Sequence, residues 1–520
     1  MKQKLLMVSL SIFLLTGLST SSFFLDEYLT KVITKNEHSK KQLEFALAQE
    51  HMSALKLTFN QAELYSEKWL TVAKKMAKTQ GKVAFQLAIY YQDKAFPETK
   101  QAIFWYQQAI RLKYKKASIS LAQYYFQNDE VTKAENILVT SPISLASNLD
   151  ETALKAIVLK IQIAIHQGKV SEVEKLISNY EQHIKTITAG RFLLANIKKY
   201  QVKFSFNQIL NSKSSTPSCD NSIQLFATNL KHLKYLESML VDFEDHSINN
   251  SVCFAPVRYM SINALDCTND PNSAIHCNEL NWQPWAKEVS SRYVGLMLPK
   301  GGANVHLGIL YFDAQDTVDV VVHEVSHLLG FIDEYPLVAE HVRCQRPQKG
   351  IFSYNISILK NSYQGNQQEI RASVLKQLAW SKYIKSSTPI LQLVKEVRGK
   401  QYWQLGTPEE FKQEIGVFPA QTCDKSNNKL QESFSAFKGA VQRNKLQYFA
   451  LPFPKLYETL LQENSTQYRM PSFYYNIALA HSQQMAIKQK YSEQAQYWIK
   501  QAESKESDIE RRKKIRRGEF

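Results

Sequence analysis

Cysteine is scarce in this chain of 520 residues, and the long stretches on either side of its central part contain none. No two cysteines have the CxxC spacing of a cysteine-rich zinc site, which argues against metal binding by cysteine. Their even number instead predicts disulfide bonds in an exported protein. The candidates for these bonds are Cys219, Cys253, Cys267, Cys277, Cys344 and Cys423.

The first apolar segment is too short for a membrane span. Lys2 and Lys4 precede an apolar run over Leu5–Leu18, and small polar residues follow at Ser19–Ser22. This pattern predicts a secretory signal peptide over 1–22. No cysteine follows it, so a lipid anchor is not expected. The segment is either cleaved or kept as an anchor, and in both cases the remaining chain is expected outside the cytoplasm, periplasmic or secreted.

The chain also lacks a glycine-rich phosphate loop and a recognisable nucleic-acid motif. Its formal net charge is +16. In an exported protein this charge predicts contact with an anionic envelope surface, and not with nucleic acid. The hydrophobic fraction of 44% is ample for folded cores, and the length predicts about three domains.

Residues 23–205 are helical in pattern and contain an internal repeat. QLAIYY at Gln86–Tyr91 recurs as SLAQYY at Ser120–Tyr125, an offset of 34. Between them QAIFWYQQA at Gln101–Ala109 predicts the second helix of a pair. TKAENIL at Thr132–Leu138 begins a shorter repeat of that second helix. The segment resembles a tetratricopeptide or Sel1-like array. That resemblance implies a curved solenoid that holds substrate or a partner protein; a plain helical bundle is the alternative.

The next stretch predicts a linker and then mixed secondary structure. NSKSSTPSCDN falls within a predicted linker over 206–221. An amphipathic helix is predicted over Ile223–Phe243, and the apolar segment 252–265 is predicted to be partly extended. Strands are predicted at Tyr293–Leu298 and at Asn304–Phe312, the second directly before the densest group of candidate site residues.

That group lies within Asp319–Tyr335, DVVVHEVSHLLGFIDEY. Its apolar residues predict a buried helix, on which residues four apart share a face. His323 and His327 can therefore bind one metal ion. Glu324 stands where zinc hydrolases with HExxH carry the residue that takes a proton from the metal-bound water. The motif predicts a catalytic Zn²⁺ site.

A catalytic zinc site needs a third protein ligand and leaves the fourth position to water. Gly330 can adopt a positive φ and end the helix abruptly, so that the chain turns back and Asp333 reaches the same metal. Glu334, one residue further, is the alternative third ligand. Glu340 and His341 are additional acidic and imidazole candidates with weaker spacing.

The full pattern HExxHxxGxxD resembles the metzincin branch of zinc metallopeptidases, and more narrowly its members with Asp in the last position. The DEY at Asp333–Tyr335 also resembles that of the IgA-peptidase-like metallopeptidases, where it usually stands one residue later. These resemblances imply a zincin-like α+β metallopeptidase domain, predicted over 222–435, whose edge strand binds extended peptide by strand addition. His306 on that strand is interpreted as structural.

Further roles follow from the same resemblance. Glu334 could orient a histidine N–H from outside the metal's ligands. Tyr335 could donate to a developing oxyanion, with packing as its other role. Metzincins also carry a methionine turn beneath the metal. Met470 lies far downstream and directly before a repeat-like unit, so it is not expected to form that turn.

Two cysteine pairings can be predicted from position. Cys267–Cys277 would close a turn-rich loop, and Cys344–Cys423 would tie the segment after the motif to the end of its domain. Beyond it, residues 436–520 return to a repeat-like helical pattern in NIALAHS and QAQYWIKQA and end in a basic tail, ERRKKIRR.

Two functions are therefore expected. The first is an exported zinc metalloendopeptidase whose helical repeats bind peptide or protein substrate or a partner protein. The second is an envelope scaffold of the tetratricopeptide type with a vestigial metallopeptidase domain used for binding.

Overall fold

A computed structural model describes residues 24–93, 95, 97–140, 149–202, 219–268, 270, 273–425, 433–484 and 493–519. The predicted signal peptide and most of the predicted linker lie outside these residues. The described residues form two compact units, one within Met1–Ile163 and Leu176–Leu193, the other within Ala164–Lys175 and Leu194–Phe520. The first is helical and the second mixed, in agreement with a multidomain α+β protein.

The described chain is helical through residue 199, and its helices are short and separated by tight turns. They are α1 (24–34), α2 (Lys40–Ala48), α3 (Met52–Gln61), α4 (Glu67–Met76), α5 (Gly81–Asp93), α6 (Thr99–Arg111), α7 (Lys115–Gln127), α8 (Val131–Thr140), α9 (Glu151–His166), α10 (Val170–Ile184) and α11 (Thr188–Lys199).

The two matching sequence units coincide with consecutive helix pairs. QLAIYY lies on α5 and SLAQYY on α7, and each unit buries its leucine, Leu87 or Leu121, completely. Helices α6 and α7 are each followed by a residue in the left-handed region, Lys113 at φ 59° and Asp129 at φ 61°. Such a residue ends a helix and lets the next one begin within a few positions.

The second unit is built on a largely parallel sheet with strand order β2-β1-β4-β6-β5, in which β3 also pairs with β1. Strands β1, β4 and β6 run parallel and are buried nearly throughout, as expected of apolar strands covered on both faces. The strands are β1 (Ser222–Ala227), β2 (Cys253–Phe254), β3 (Arg258–Tyr259), β4 (Tyr293–Leu298), β5 (Asn304–His306) and β6 (Ile309–Asp313).

The single strand predicted over Asn304–Phe312 is wrong, because the chain reverses within it. Strands β5 and β6 form an antiparallel hairpin around Leu307 and Gly308. Both turn residues have positive φ, 43° and 88°, which suits a two-residue hairpin turn. The sheet therefore ends in a short antiparallel edge strand, β5.

The helix predicted over Ile223–Phe243 is wrong for its first residues, which form β1. Each residue of β1 is buried, with β2 and β3 paired along one side of the strand and β4 along the other. Periodicity alone cannot show whether such a short apolar run is a strand or a helix. The helix itself, α12 (Leu230–Phe243), begins after Asn229, whose side chain accepts from the amide of His232. The predictions at Tyr293–Leu298 and within 252–265 are confirmed.

The remaining helices are α13 (Gln283–Ala286), α14 (Val318–Leu329), α15 (Gln367–Leu375), α16 (Lys455–Glu463), α17 (Phe473–Gln484), α18 (Glu493–Ser504) and α19 (Ile509–Arg517). Two small antiparallel sheets complete the unit, β8-β10-β9 and β11-β12-β7. Their strands are β7 (Ser357–Lys360), β8 (Ser362–Gln364), β9 (Leu391–Val397), β10 (Lys400–Leu405), β11 (Phe418–Pro419) and β12 (Phe434–Lys438). Short 3₁₀ turns lie at Asn249–Ser251, Glu279–Trp282, Val342–Gln345, Ser381–Tyr383, Glu409–Phe411 and Gln421–Cys423.

The C-terminal helices share one core with the sheet and do not form a unit of their own over 436–520. Trp498 on α18 and Phe473 on α17 belong to the same buried cluster as Leu296 of β4. Behind them, the buried carboxylate of Glu506 pairs with the guanidinium group of Arg292 just before β4. The end of the chain is therefore part of the fold that carries the sheet.

All six cysteines are paired. The structure confirms the predicted Cys267–Cys277 and Cys344–Cys423 bonds and adds Cys219–Cys253. Within the described residues, no helix combines the length and the apolar character required to cross a bilayer.

Candidate metal centre

Helix α14 presents the motif residues, and its sequence explains its position. Val321, Val325 and Leu328 are fully buried, and the helix contacts α12 and strand β6. It ends at Gly330, which has φ 105°. A Cβ atom there would lie 2.5 Å from the backbone of Tyr468, so both the conformation and the space require glycine.

The two histidines of the motif face each other across one turn of α14. The Nε2 atoms of His323 and His327 are 3.2 Å apart. Each Nδ1 lies beside a backbone carbonyl, 2.8 Å from Lys445 O for His323 and 3.1 Å from Phe331 O for His327. A carbonyl only accepts, so Nδ1 carries the proton of each neutral ring and Nε2 presents its lone pair to the centre.

Asp333 completes a group of three potential ligands. Its Oδ1 atom is buried and lies 3.1 Å from the Nε2 atom of His323 and 3.1 Å from that of His327. Two atoms bound at about 2.0–2.1 Å to a tetrahedral zinc ion are about 3.3–3.4 Å apart. The three atoms therefore have nearly the separation that a shared metal ion requires.

Electrostatics favour a cation at this position. Burial alone would lower the pKa of His327, but the Asp333 carboxylate raises it to about 10. The two imidazoles in turn hold the pKa of Asp333 well below its usual value, against the effect of burial. A positive charge thus belongs among the three atoms, either a proton or a metal ion that displaces it.

Glu324 lies beside this group and is not one of the three. Its side chain is 8% exposed, and no hydrogen bond within the described chain holds its carboxylate. Burial raises the pKa of Glu324, the imidazoles of His327 and His323 oppose that rise, and the Asp333 carboxylate adds to it. A buried carboxylate of raised pKa next to three potential metal ligands is suited to accept and return a proton.

Glu334 points away from the centre and is fully buried. One carboxylate oxygen accepts from Tyr457 Oη and Asn355 Nδ2, and the other from Lys438 Nζ at 2.9 Å and Asn444 Nδ2 at 2.8 Å. Every oxygen is therefore occupied by the protein. The backbone amide of Glu334 also donates to Leu446 O, one residue from the carbonyl that holds His323.

The other candidate residues are spread around the centre. The ring of Tyr335 stacks on His323, with 6.3 Å between ring centroids and 13° between planes. Glu340 is exposed and His341 accepts from the amide of Arg343, so neither joins the three ligand atoms. His306 contacts Glu279 through Nδ1 at 2.8 Å on the edge strand.

Several contributors to the centre could not be found from the motif. Lys445 and Phe331 act through backbone carbonyls, which leave no signature in the side-chain sequence. Met470, which the sequence does not predict to form a methionine turn, has its amide 2.8 Å from Leu328 O at the end of α14. Tyr293 Oη also donates to that carbonyl, and it too lies far from the motif in sequence.

Comparison with known proteins gives no matching protein-family model, no matching curated protein and no matching solved structure.

Proposed function

We propose that this protein is an exported zinc metallopeptidase that hydrolyses peptide bonds in its second unit. The observation that carries this proposal is the convergence of His323, His327 and Asp333 on one point, with Glu324 beside them. Three protein ligands leave one coordination position open, which is the arrangement of catalytic rather than structural zinc.

The donor set suits zinc in a chemical sense. Two imidazole nitrogens and one carboxylate oxygen are a typical ligand set of Zn²⁺. Both imidazoles are held by carbonyls that fix the ring orientation and make the ligating nitrogen more basic. Asp333 is the proposed third ligand in preference to Glu334, because the Glu334 carboxylate is already used by four donors.

In this proposal a zinc ion held by His323, His327 and Asp333 would supply Lewis acidity for the hydrolysis. Glu324 takes one proton from the attacking water while the water oxygen forms a bond to the carbonyl carbon. The same carboxylic acid then gives the proton to the leaving nitrogen as the C–N bond breaks. Tyr335, whose phenol interacts with the Asp333 carboxylate, would donate to the oxygen that gains charge.

The surroundings of the centre support a peptide substrate. Strand β5 contacts α14 and forms the edge of the large sheet, with one side unpaired among the described strands. An extended peptide could pair with that edge and so lie across the helix that carries the histidines. We interpret the second unit on this basis as a zincin-like domain.

The helical unit is proposed to be a tetratricopeptide-like or Sel1-like array that holds substrate or a partner protein. Support comes from the consecutive helix pairs α5–α6 and α7–α8, which share one buried cluster that includes Trp69 and Trp105. Export is proposed from the apolar leader at 1–22 and from three disulfides, which persist in oxidising compartments.

The test is to measure zinc content and cleavage of an unfolded protein by wild type and by Glu324→Gln. We expect about one zinc per chain in both, with hydrolysis lost by about 10²–10⁴-fold or more in the variant. Glu340→Gln, which neutralises an exposed glutamate outside the ligand group, is the matched control and should remain active. If wild type and both variants bind zinc and none of them cleaves the substrate, the envelope scaffold with a vestigial metallopeptidase domain is favoured.

A further inference from the structure

Exposed apolar side chains gather on two segments next to the metal centre. Large apolar residues are mostly buried in the second unit, so a group of exposed ones marks a contact surface. We call this group the apolar rim. Its members are Tyr335, Val338 and Val342 on the segment after Asp333, and Tyr448 and Phe449 on a loop further along the chain.

The first segment is a short loop anchored to the metal helix. The amide of Lys445 donates to Pro452 O and closes the base of the loop. The carbonyl of Lys445 accepts from His323, and its ammonium group binds Asp319 at 2.6 Å and the carbonyl of Phe449. Because both the backbone carbonyl and the side chain of Lys445 bond to residues of α14, the loop is fixed relative to the proposed metal ligands.

The second segment follows Asp333 directly and is joined to the first. Gln447 Nε2 donates to Gln421 Oε1 at 2.8 Å. The next residue, Thr422, donates through Oγ1 to Asp333 O and accepts from the amide of Leu337. The two halves of the apolar rim are therefore connected through Gln421 and Thr422 at the edge of the metal centre.

The tip of the loop presents two aromatic rings to solvent. Tyr448 and Phe449 are 57% and 41% exposed. Their rings stack with 5.1 Å between centroids and 26° between planes. A pair of stacked rings on an anchored loop offers a rigid apolar face at low cost in conformational entropy.

We propose that Tyr448 and Phe449 bind an aromatic or large aliphatic side chain of the peptide substrate beside the bond to be cut. This inference rests on the proposed peptidase function and adds its substrate class, namely extended peptides with large apolar residues near the cleavage point. A peptide is favoured as the occupant because Lys445 joins the loop that carries both rings to His323 and Asp319 of α14, which holds them next to the proposed cleavage site.

The test measures binding of fluorescein-labelled short peptides that differ at one central position, Phe, Leu, Ala or Glu. Zinc-loaded full-length protein carrying Glu324→Gln is used, so that no peptide is consumed. We expect Phe and Leu peptides to bind more tightly than Ala and Glu peptides. Tyr448→Ala with Phe449→Ala should weaken Phe-peptide binding about five- to tenfold and leave Ala-peptide binding unchanged.

The matched control is Leu393→Ala with Val394→Ala, which removes an equally exposed apolar pair from β9. It should leave the preference intact. Equal binding of the four peptides, or equal loss for all four in the Tyr448 and Phe449 variant, would overturn the proposal. So would an effect of that variant only on self-association or on vesicle binding, because the rim would then face a second copy or a lipid surface.

Cleavage by protein with an intact Glu324 separates this proposal from the broader one. If the Phe preference is present in binding but no peptide is cut, the peptidase function fails while the apolar contact stands. If peptides are cut without the preference, the peptidase function stands and the role of Tyr448 and Phe449 is wrong.

Discussion

Replacing Asp333 tests which acidic residue completes the metal centre. The Oδ1 atom of Asp333 lies 3.1 Å from the Nε2 atoms of both His323 and His327, whereas both oxygens of Glu334 accept hydrogen bonds from protein donors. Loss of a group that only supports a metal ligand costs about 10–100-fold in metal affinity. The loss of zinc affinity in Asp333→Ala should exceed that range and equal the loss in His327→Ala. The loss in Glu334→Ala should stay within the range.

The assay is competition for Zn²⁺ with a chromophoric chelator, on protein shown by circular dichroism to be folded. Glu334→Ala has a second effect, because it leaves the buried ammonium group of Lys438 without its carboxylate partner. Breaking a buried ion pair in this way costs about 3–5 kcal/mol, and Glu334→Gln with Lys438→Met should recover much of it. A greater zinc loss for folded Glu334→Ala than for Asp333→Ala would refute the ligand assignment.

Three further results are expected. Burial alone would raise the pKa of Glu506, but the guanidinium groups of Arg292 and its neighbours lower it. The ionised carboxylate therefore stabilises the folded protein above about pH 4.3, and this stabilisation is lost as the pH falls through the lower pKa of the folded state. The free energy of unfolding in urea should accordingly depend less on acid pH in Glu506→Gln than in wild type. Gly330→Ala should cost about 1–2 kcal/mol or more in unfolding free energy and weaken zinc binding, whereas Gly350→Ala, with no atom within 4 Å of the added Cβ, should do neither. Thiol counting on unfolded, unreduced protein should find almost no free sulfhydryl, and reductant should destabilise the second unit more than the cysteine-free helices; six titratable thiols would contradict the pairing.

The local part of the candidate centre could be predicted because helix geometry fixes it. His323 and His327 are four residues apart and therefore share a face, and Gly330 marks the end of the helix. Asp333 follows three residues later, so its place among the ligand atoms depends on one turn. All of these relations lie within a dozen residues, where spacing determines position.

The supporting part could not be predicted because it comes from distant sequence. Lys438, Asn444 and Tyr457 surround Glu334 from more than a hundred residues away. Nothing in a single sequence links them to the motif. Backbone carbonyls such as that of Lys445 are even less visible, since any residue could supply one.

The fold shows the same division between local and distant effects. Helix periodicity predicted the repeat-like helices, since each buries one face. The hairpin at Leu307 was missed because a leucine with positive φ gives no turn signal. The repeat-like pattern of α18 suggested a separate region, yet Trp498 packs in the core of the sheet. Helical periodicity shows which face is buried but not what buries it.

The most direct measurement compares the peptide ends released from a mixture of envelope proteins by wild type and by Glu324→Gln. Both proteins should contain zinc and have the same fold, so that they differ in a single carboxylate. We predict new amino-terminal ends with wild type alone. The same ends with both proteins, or none with either, would contradict hydrolysis by Glu324 at this metal centre.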